Sequence, residues 1–120
     1  YWNNRRRHIA WLYRRELDGT PVMLMDEASW AHSVYHLFVI RTKERDELMG
    51  YLKEKNVSTL IHYPTPIHLQ GVYSHLGYVE GAFPNAEASA KEIMSLPMYP
   101  SLTEDEVIYV SKCIREFYGM

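Results

Sequence analysis

An α+β domain, with helices packed on a small and mostly antiparallel sheet, is the fold class this sequence predicts. Three observations carry that expectation. Two short runs rich in apolar, β-branched and aromatic residues, 22–25 and 34–40, lie close together and read as strands. Apolar residues at helical spacing fill both ends of the chain. The order of elements, helix, strand, strand, helix, strand and then helices, departs from the strict alternation of a doubly wound parallel sheet.

The first predicted helix covers residues 2–17, with Trp2, Ile9, Leu12, Tyr13 and Leu17 near one face. Asp18-Gly19-Thr20-Pro21 stops it, because Gly19 suits a left-handed cap and Pro21 cannot continue the helix. Residues 22–25 come next as a short strand, and 26–33 as a loop whose Trp30 is either a packing anchor or a flap residue. Residues 34–40 make the strongest strand, apolar on nearly both faces and therefore expected at the centre of the sheet. Thr42 is expected to cap a helix that runs to about Lys55, with Leu48, Met49 and Leu52 inward and Asn56 as terminator.

Residues 57–62 alternate, Val57, Thr59 and Ile61 on one face and Ser58, Leu60 and His62 on the other, and predict another strand. A short helix is expected over 67–76. Phe83-Pro84-Asn85 opens a further helix, with Ala86, Ala90, Ile93 and Met94 at helical spacing, and Leu96-Pro97-Met98 is extended. Thr103-Glu104-Asp105-Glu106 is a capping box, in which the Thr hydroxyl and the Glu carboxylate each satisfy a free backbone N–H. Val107, Val110, Ile114 and Phe117 then form the buried stripe of a last helix to about Tyr118.

The 120 residues predict one domain, large enough for a core without disulfides. A net charge of −2 gives no electrostatic reason to expect nucleic acid as a partner. The basic run Arg5-Arg6-Arg7, with Arg14 and Arg15, reads as a solvated helix face or a subunit contact in preference to a phosphate site. Cys113 is the single cysteine and sits at core spacing, which fits a cytoplasmic location. No apolar run approaches the roughly 18 residues of a membrane span, so no membrane association is expected. Tyr1 already stands inside helical spacing, so the sequence reads as a piece of something longer.

Chemistry concentrates in Ile61-His62-Tyr63-Pro64-Thr65-Pro66-Ile67-His68-Leu69-Gln70. Each proline drives the residue before it toward extended backbone, so Tyr63 and Thr65 cannot sit inside a helix. The segment is a stiff tip presenting His62, Tyr63 and His68. His62, His68 and His75 lack the i, i+4 pairing of a helical zinc site, and no cysteine pair supports one. Neighbours in an ideal strand point to opposite faces, so His62 and Tyr63 address one ligand only if the chain twists at Pro64. On local pattern alone, a strand-end His62 bonded to a backbone carbonyl and a packed Tyr63 is the favoured reading, because polar aromatic pairs at strand ends are common.

A family resemblance changes that weighting. The blocks His36-Leu37-Phe38-Val39-Ile40, Arg45-Asp46, Ile61 to Gln70, Phe83-Pro84-Asn85-Ala86-Glu87 and Ser95-Leu96-Pro97-Met98-Tyr99-Pro100 resemble the carboxyl-terminal domain of the DegT/DnrJ/EryC1/StrS aminotransferases. Asn3-Asn4-Arg5-Arg6 with Ile9, Ala10 and Tyr13 resembles the helix joining that family's large and small domains, which implies a single domain over 1–120 with 1–18 leading in from the larger one. The resemblance implies the small domain of a fold type I transferase and a pyridoxal-phosphate enzyme that aminates nucleotide-linked keto sugars, usually from glutamate, as a homodimer. In that family the cofactor, its Schiff-base lysine and the acid at the pyridine nitrogen belong to the larger domain. Lys43, Lys53, Lys55, Lys91 and Lys112 fall on predicted helices or their ends and match no cofactor-lysine motif. The expectation is therefore a chain that holds no cofactor and is inactive alone. His62 and Tyr63 are carried to the substrate-facing edge. His68 belongs to the same set or serves only to cap the helix after it, and Pro97 and Tyr99 shape the wall. The alternative is a stand-alone interaction or ligand-binding module on the same fold.

Overall fold

The computed structural model describes residues 1–120. Helix α1 (Trp2–Glu16) buries Ile9, Leu12 and Tyr13 of the predicted stripe together with Ala10, and Leu17 is buried just past its end. Trp2 at its start is exposed and does not join the stripe. Gly19 takes φ +74°, a left-handed conformation that suits a residue without Cβ, and the chain turns into β1 (Met23–Leu24). The strands β2 (Phe38–Arg41) and β3 (Ile93–Leu96) complete an antiparallel sheet in the order β1-β2-β3. Its register places Leu24 opposite Ile40, Phe38 opposite Leu96 and Ile40 opposite Met94. Helix α2 (Arg45–Glu54) comes after β2, α3 (Pro84–Glu92) leads directly into β3, and α4 (Glu104–Phe117) closes the fold.

Phe38, Ile40, Met94 and Leu96 form the buried face of the sheet. They join one core with Ile9, Leu12 and Tyr13 of α1, Leu48 and Leu52 of α2, and Val107, Val110, Cys113 and Ile114 of α4. Burying each such aliphatic or aromatic side chain stabilises the fold by about 1.5–3 kcal/mol. Cys113 packs here as expected. The capping box of α4 forms as its sequence predicts: Glu106 N–H donates to Thr103 Oγ1 at 3.2 Å, and Thr103 N–H donates to Glu106 Oε2 at 2.8 Å.

Four expectations are corrected. The strand expected over 34–40 begins only at Phe38, because Tyr35 has φ +47° and the Tyr35 and His36 carbonyls accept hydrogen bonds from Arg6 Nη1. β2 is central, yet it is buried on one face: Phe38 and Ile40 are covered, Val39 and Arg41 only partly. Thr42 does not cap α2; Glu44 occupies that place without a side-chain cap, while Thr42 Oγ1 bonds Tyr118 Oη at 2.7 Å. Ile93 and Met94 belong to β3 and not to α3, since their pairing with β2 overrides the helical spacing that continues from Ala86 and Ala90.

The strand expected over 57–62 reduces to a single bridge, Leu60 with Ser95. A ladder could extend only through Ser58 with Pro97 or His62 with Ile93. Pro97 has no N–H to offer, and the Ile93 carbonyl is taken by Arg45 Nη1 at 3.1 Å.

The arginines of α1 brace loops and leave little free charge. Arg5 reaches the Pro100 and Leu102 carbonyls, Arg6 also reaches the Met98 carbonyl, and Arg7 pairs with Glu27 at 3.1 Å. Glu27 is the hub of the 26–33 loop. The Ser33 N–H foremost, then Arg7 and the Tyr35 hydroxyl, hold its carboxyl down at about 2. The loop thereby presents Trp30, 88% exposed, so Trp30 is not a packing anchor.

Candidate functional site

The bridge at Leu60 and Ser95 sets the height at which the chain leaves the sheet, and Pro64 and Pro66 stiffen the segment beyond it. His62 turns back onto the sheet, where its Nδ1 shares a hydrogen bond with Ser95 Oγ at 2.9 Å. Its partner is thus a buried serine hydroxyl, not the backbone carbonyl the simpler sequence reading allows. Nε2 of His62 has no protein partner. Tyr63 points outward and is 72% exposed, so it does not pack as that simpler reading expects. The His62–Tyr63 peptide is cis, and the two rings meet edge to face with centroids 5.5 Å apart.

Beyond Tyr63 the chain runs through two short 3-10 turns, Ile67–Leu69 and Gly71–Leu76, and returns to α3. These enclose an open groove of about 630 Å³ lined by Tyr63, Ile67, Tyr73, Tyr78, Phe83 and the α3 residues Ala86 and Ala90, among others. Its walls are aromatic and aliphatic, with Thr65 and Ser89 among the few polar groups. Such concave apolar walls with a few convergent polar groups are the usual form of a small-molecule site.

His68 lies beneath that groove, only 9% exposed, and caps no helix. Its Nε2 bonds Glu87 Oε1 at 2.9 Å, and its ring meets Phe83 edge to face at 4.8 Å. Glu87 is a functional candidate that sequence reasoning missed, although it ends a block that resembles the family. Its carboxylate also accepts the Gly81 N–H at 2.9 Å and the Phe83 N–H at 3.1 Å. The Gly81 bond foremost, with those from Phe83 and His68, holds the Glu87 carboxyl below the usual range against the opposing effect of burial. Ser95 likewise stands out in the sequence only as one member of a block. Membership of those blocks is the one signal the sequence offers for either residue.

His62, His68 and His75 are not brought together. Each has its own partner, respectively Ser95 Oγ, Glu87 Oε1 and the Val72 carbonyl. Pro97 and Tyr99 line a different hollow, of about 640 Å³, together with Val57, Leu102 and Tyr109. The Pro97 carbonyl accepts the Tyr13 hydroxyl at 3.0 Å, so this block braces the fold beside α1.

The lysines do not fit a Schiff base to pyridoxal phosphate. Lys43, Lys53, Lys91 and Lys112 are exposed, and Lys55 is half-buried with its ammonium over the Tyr51 ring. Tyr51 foremost raises the Lys55 pKa, the reverse of what a nucleophilic amine needs. These residues support no step through that cofactor.

The match to the model of the DegT/DnrJ/EryC1/StrS aminotransferase family spans residues 1–115. Among relatives, the chain is 44% identical over 120 residues to the Pleiotropic regulatory protein of Geobacillus stearothermophilus, covering 98% of this chain and 32% of that protein. It is 38% identical to the dTDP-3-amino-3,4,6-trideoxy-alpha-D-glucose transaminase of Streptomyces venezuelae, covering 97% and 31%. Its fold matches the crystal structure of S. venezuelae DesV in complex with a ketimine intermediate, with a TM-score of 0.95 and 38% identity over 99% of this chain and 32% of that one. It also matches an aminotransferase from Brucella abortus, with a TM-score of 0.90 and 29% identity over 99% and 32%. The chain therefore spans about a third of the length of the proteins it matches. With the sheet, the flanking helices and the motif blocks in agreement along nearly its whole length, the chain belongs to the DegT/DnrJ/EryC1/StrS aminotransferase family.

Proposed function

We propose that this chain is the carboxyl-terminal small domain of a pyridoxal-phosphate aminotransferase that acts on a nucleotide-linked keto sugar, with residues 1–18 leading in from a larger domain. One observation carries the reading: the His62 and Tyr63 rings meet edge to face with His62 Nε2 and the Tyr63 hydroxyl free of hydrogen-bond partners in this chain, on a tip held by the sheet and at an aromatic groove. In this reading His62 and Tyr63 hydrogen-bond sugar hydroxyls or the diphosphate, and His68 supports them from beneath. The relatives' names support the substrate class, since they include dTDP- and UDP-linked amino-sugar transaminases.

The cofactor and its lysine come from the larger domain, so this chain's role is to bind and orient substrate and to exclude water from one side of a site completed elsewhere, in a homodimer. The test compares the 120-residue chain with a longer polypeptide that carries it. The longer protein should show an aldimine absorbance after dialysis and convert a dTDP- or UDP-linked keto sugar to its amino form. The short chain should show neither. A stoichiometric aldimine on the short chain, lost on replacing one of its five lysines, overturns the proposal.

A further inference from the structure

The orientation of His62 and Tyr63 has to be fixed from outside their own segment. Residues 61–65 make no backbone-to-backbone hydrogen bond. Within it, His62 is held by its Nδ1 bond to Ser95 Oγ at 2.9 Å, and the Thr65 carbonyl accepts from Gln70 Nε2 at 3.4 Å. Prolines fix only their own φ and restrict the residue before, so the ends of the segment decide chiefly where Tyr63 points. At the upstream end, Leu60 and Ser95 exchange both backbone hydrogen bonds, at 3.3 and 2.7 Å. At the downstream end the sole side-chain anchor reaching α3 is His68 on Glu87.

Glu87 is costly where it sits. A buried carboxylate is tolerated only when its lone pairs are filled, and an apolar side chain of similar size is often as stable. Here three donors converge on it: Oε1 accepts from the Phe83 N–H and the His68 ring nitrogen, and the Gly81 N–H is shared between Oε1 and Oε2. A carboxylate receiving backbone donors only accepts, so His68 Nε2 carries the hydrogen of their bond. The Gly81 and Phe83 bonds explain an acid at the start of α3, since they satisfy N–H groups near the helix start. They do not explain a buried histidine on a separate segment aimed at the same carboxylate.

We propose that Glu87, acting through His68, is a positioning residue that holds the 61–68 tip so that His62 and Tyr63 meet the substrate. This rests on the reading that those two residues contact substrate. The test is a double-mutant cycle, Glu87→Leu crossed with Tyr63→Phe, in the aminotransferase polypeptide that carries this chain; leucine leaves His68 Nε2 no acceptor. It reads kcat/KM for the keto-sugar nucleotide, cofactor content and thermal midpoint.

Positioning predicts that Glu87→Leu lowers kcat/KM by about tenfold or more with cofactor retained, because misplacement by about 1 Å can cost on the order of 10²-fold. It also predicts that most of this loss vanishes in the Tyr63→Phe background, as coupled residues are not additive. Additive losses, or normal kinetics with a lowered midpoint, overturn the proposal. If Glu87→Leu does not fold, His68→Phe cuts the same bond from the other side and leaves Glu87 its two backbone donors: it must reproduce the loss, and normal kinetics in it overturns the proposal. Should Tyr63→Phe and His62→Ala alone leave kinetics unchanged, the substrate-contact reading fails by itself. The ring resonances of Tyr63 and His62 in the 120-residue chain then decide the coupling. A shift on Glu87→Leu supports it, and unchanged resonances overturn it.

Discussion

Replacing Tyr13 by Phe isolates a single hydrogen bond at the junction of α1 with the segment after β3. Tyr13 is fully buried, and its ring stacks on Phe38 with centroids 4.9 Å apart. Its hydroxyl donates to the Pro97 carbonyl at 3.0 Å. Phenylalanine keeps the buried ring and the stacking, so the loss is one neutral bond, worth about 0.5–1.5 kcal/mol. Pro97 is only half-buried, so water can reach its carbonyl in the variant and no further large penalty is expected. The expected loss is thus about 1 kcal/mol, against about 3–5 for Tyr13→Ala, which empties the ring's place in the core. Alkali supplies a second signature. Burial foremost, with the nearby Tyr99 and Glu106, pushes the Tyr13 phenol above its ordinary value of 10.0. A raised folded pKa means stability that is full below pH 10 and lost as pH rises above it, where the unfolded tyrosine ionises and the folded one does not. Tyr13→Phe lacks that titration, so its deficit should shrink above pH 10. Urea unfolding at pH 7 and pH 10.5 reads both effects. A deficit at pH 7 as large as that of Tyr13→Ala, or one that widens in alkali, would refute the reasoning.

Thr103→Ala should remove about 0.5–2 kcal/mol of stability by opening the capping box of α4, measured by urea midpoint, with Thr103→Ser close to wild type. Glu27, Glu87 and Glu106 are all held below the ordinary carboxylate value, foremost by backbone N–H groups of Ser33, Gly81 and Thr103 respectively. Depressed folded pKa values give stability that is present above 4.5 and lost as pH falls toward 2, so the urea midpoint should drop across that window and drop less in Glu27→Gln. Tyr63, Ile67, Val72, Leu76 and Val79 expose a run of apolar surface, which predicts dimers or larger species of the 120-residue chain by light scattering; a strictly monomeric particle would count against a face that needs a cover.

Helix boundaries are largely legible in the sequence because their determinants are local. Gly19 and Asn56 adopt the left-handed conformations expected at helix ends, and the Thr103 box needs only residues three apart. Strands are less legible because pairing is decided at a distance. Ile93 and Met94 continue the α3 spacing and become β3 only because β2 is there to pair with them. Residues 57–62 alternate well enough for a strand, yet Pro97 and Arg45, far along the chain, deny them a ladder. The same division holds at the site. The His62-Tyr63-Pro64 tip is visible in the residues themselves, whereas Glu87 and Ser95 gain their meaning only from partners 19 and 33 residues away. The arginines of α1 have the pattern of a charged face, and act as braces because loop carbonyls from distant segments lie beneath them.

Steady-state kinetics on His62→Ala and Tyr63→Phe, in a longer polypeptide that carries this chain, test most directly the proposal that His62 and Tyr63 touch a nucleotide-linked sugar. Losing one hydrogen bond to a neutral sugar hydroxyl costs about 0.5–1.5 kcal/mol, and one to a charged diphosphate about 1.5–3. Substrate contact predicts a fall in kcat/KM of roughly several-fold to a hundredfold in each variant with cofactor content unchanged; the thermal midpoint stays unchanged in Tyr63→Phe and falls in His62→Ala, which also loses the Ser95 hydrogen bond. Normal kinetics with a lowered midpoint would contradict it.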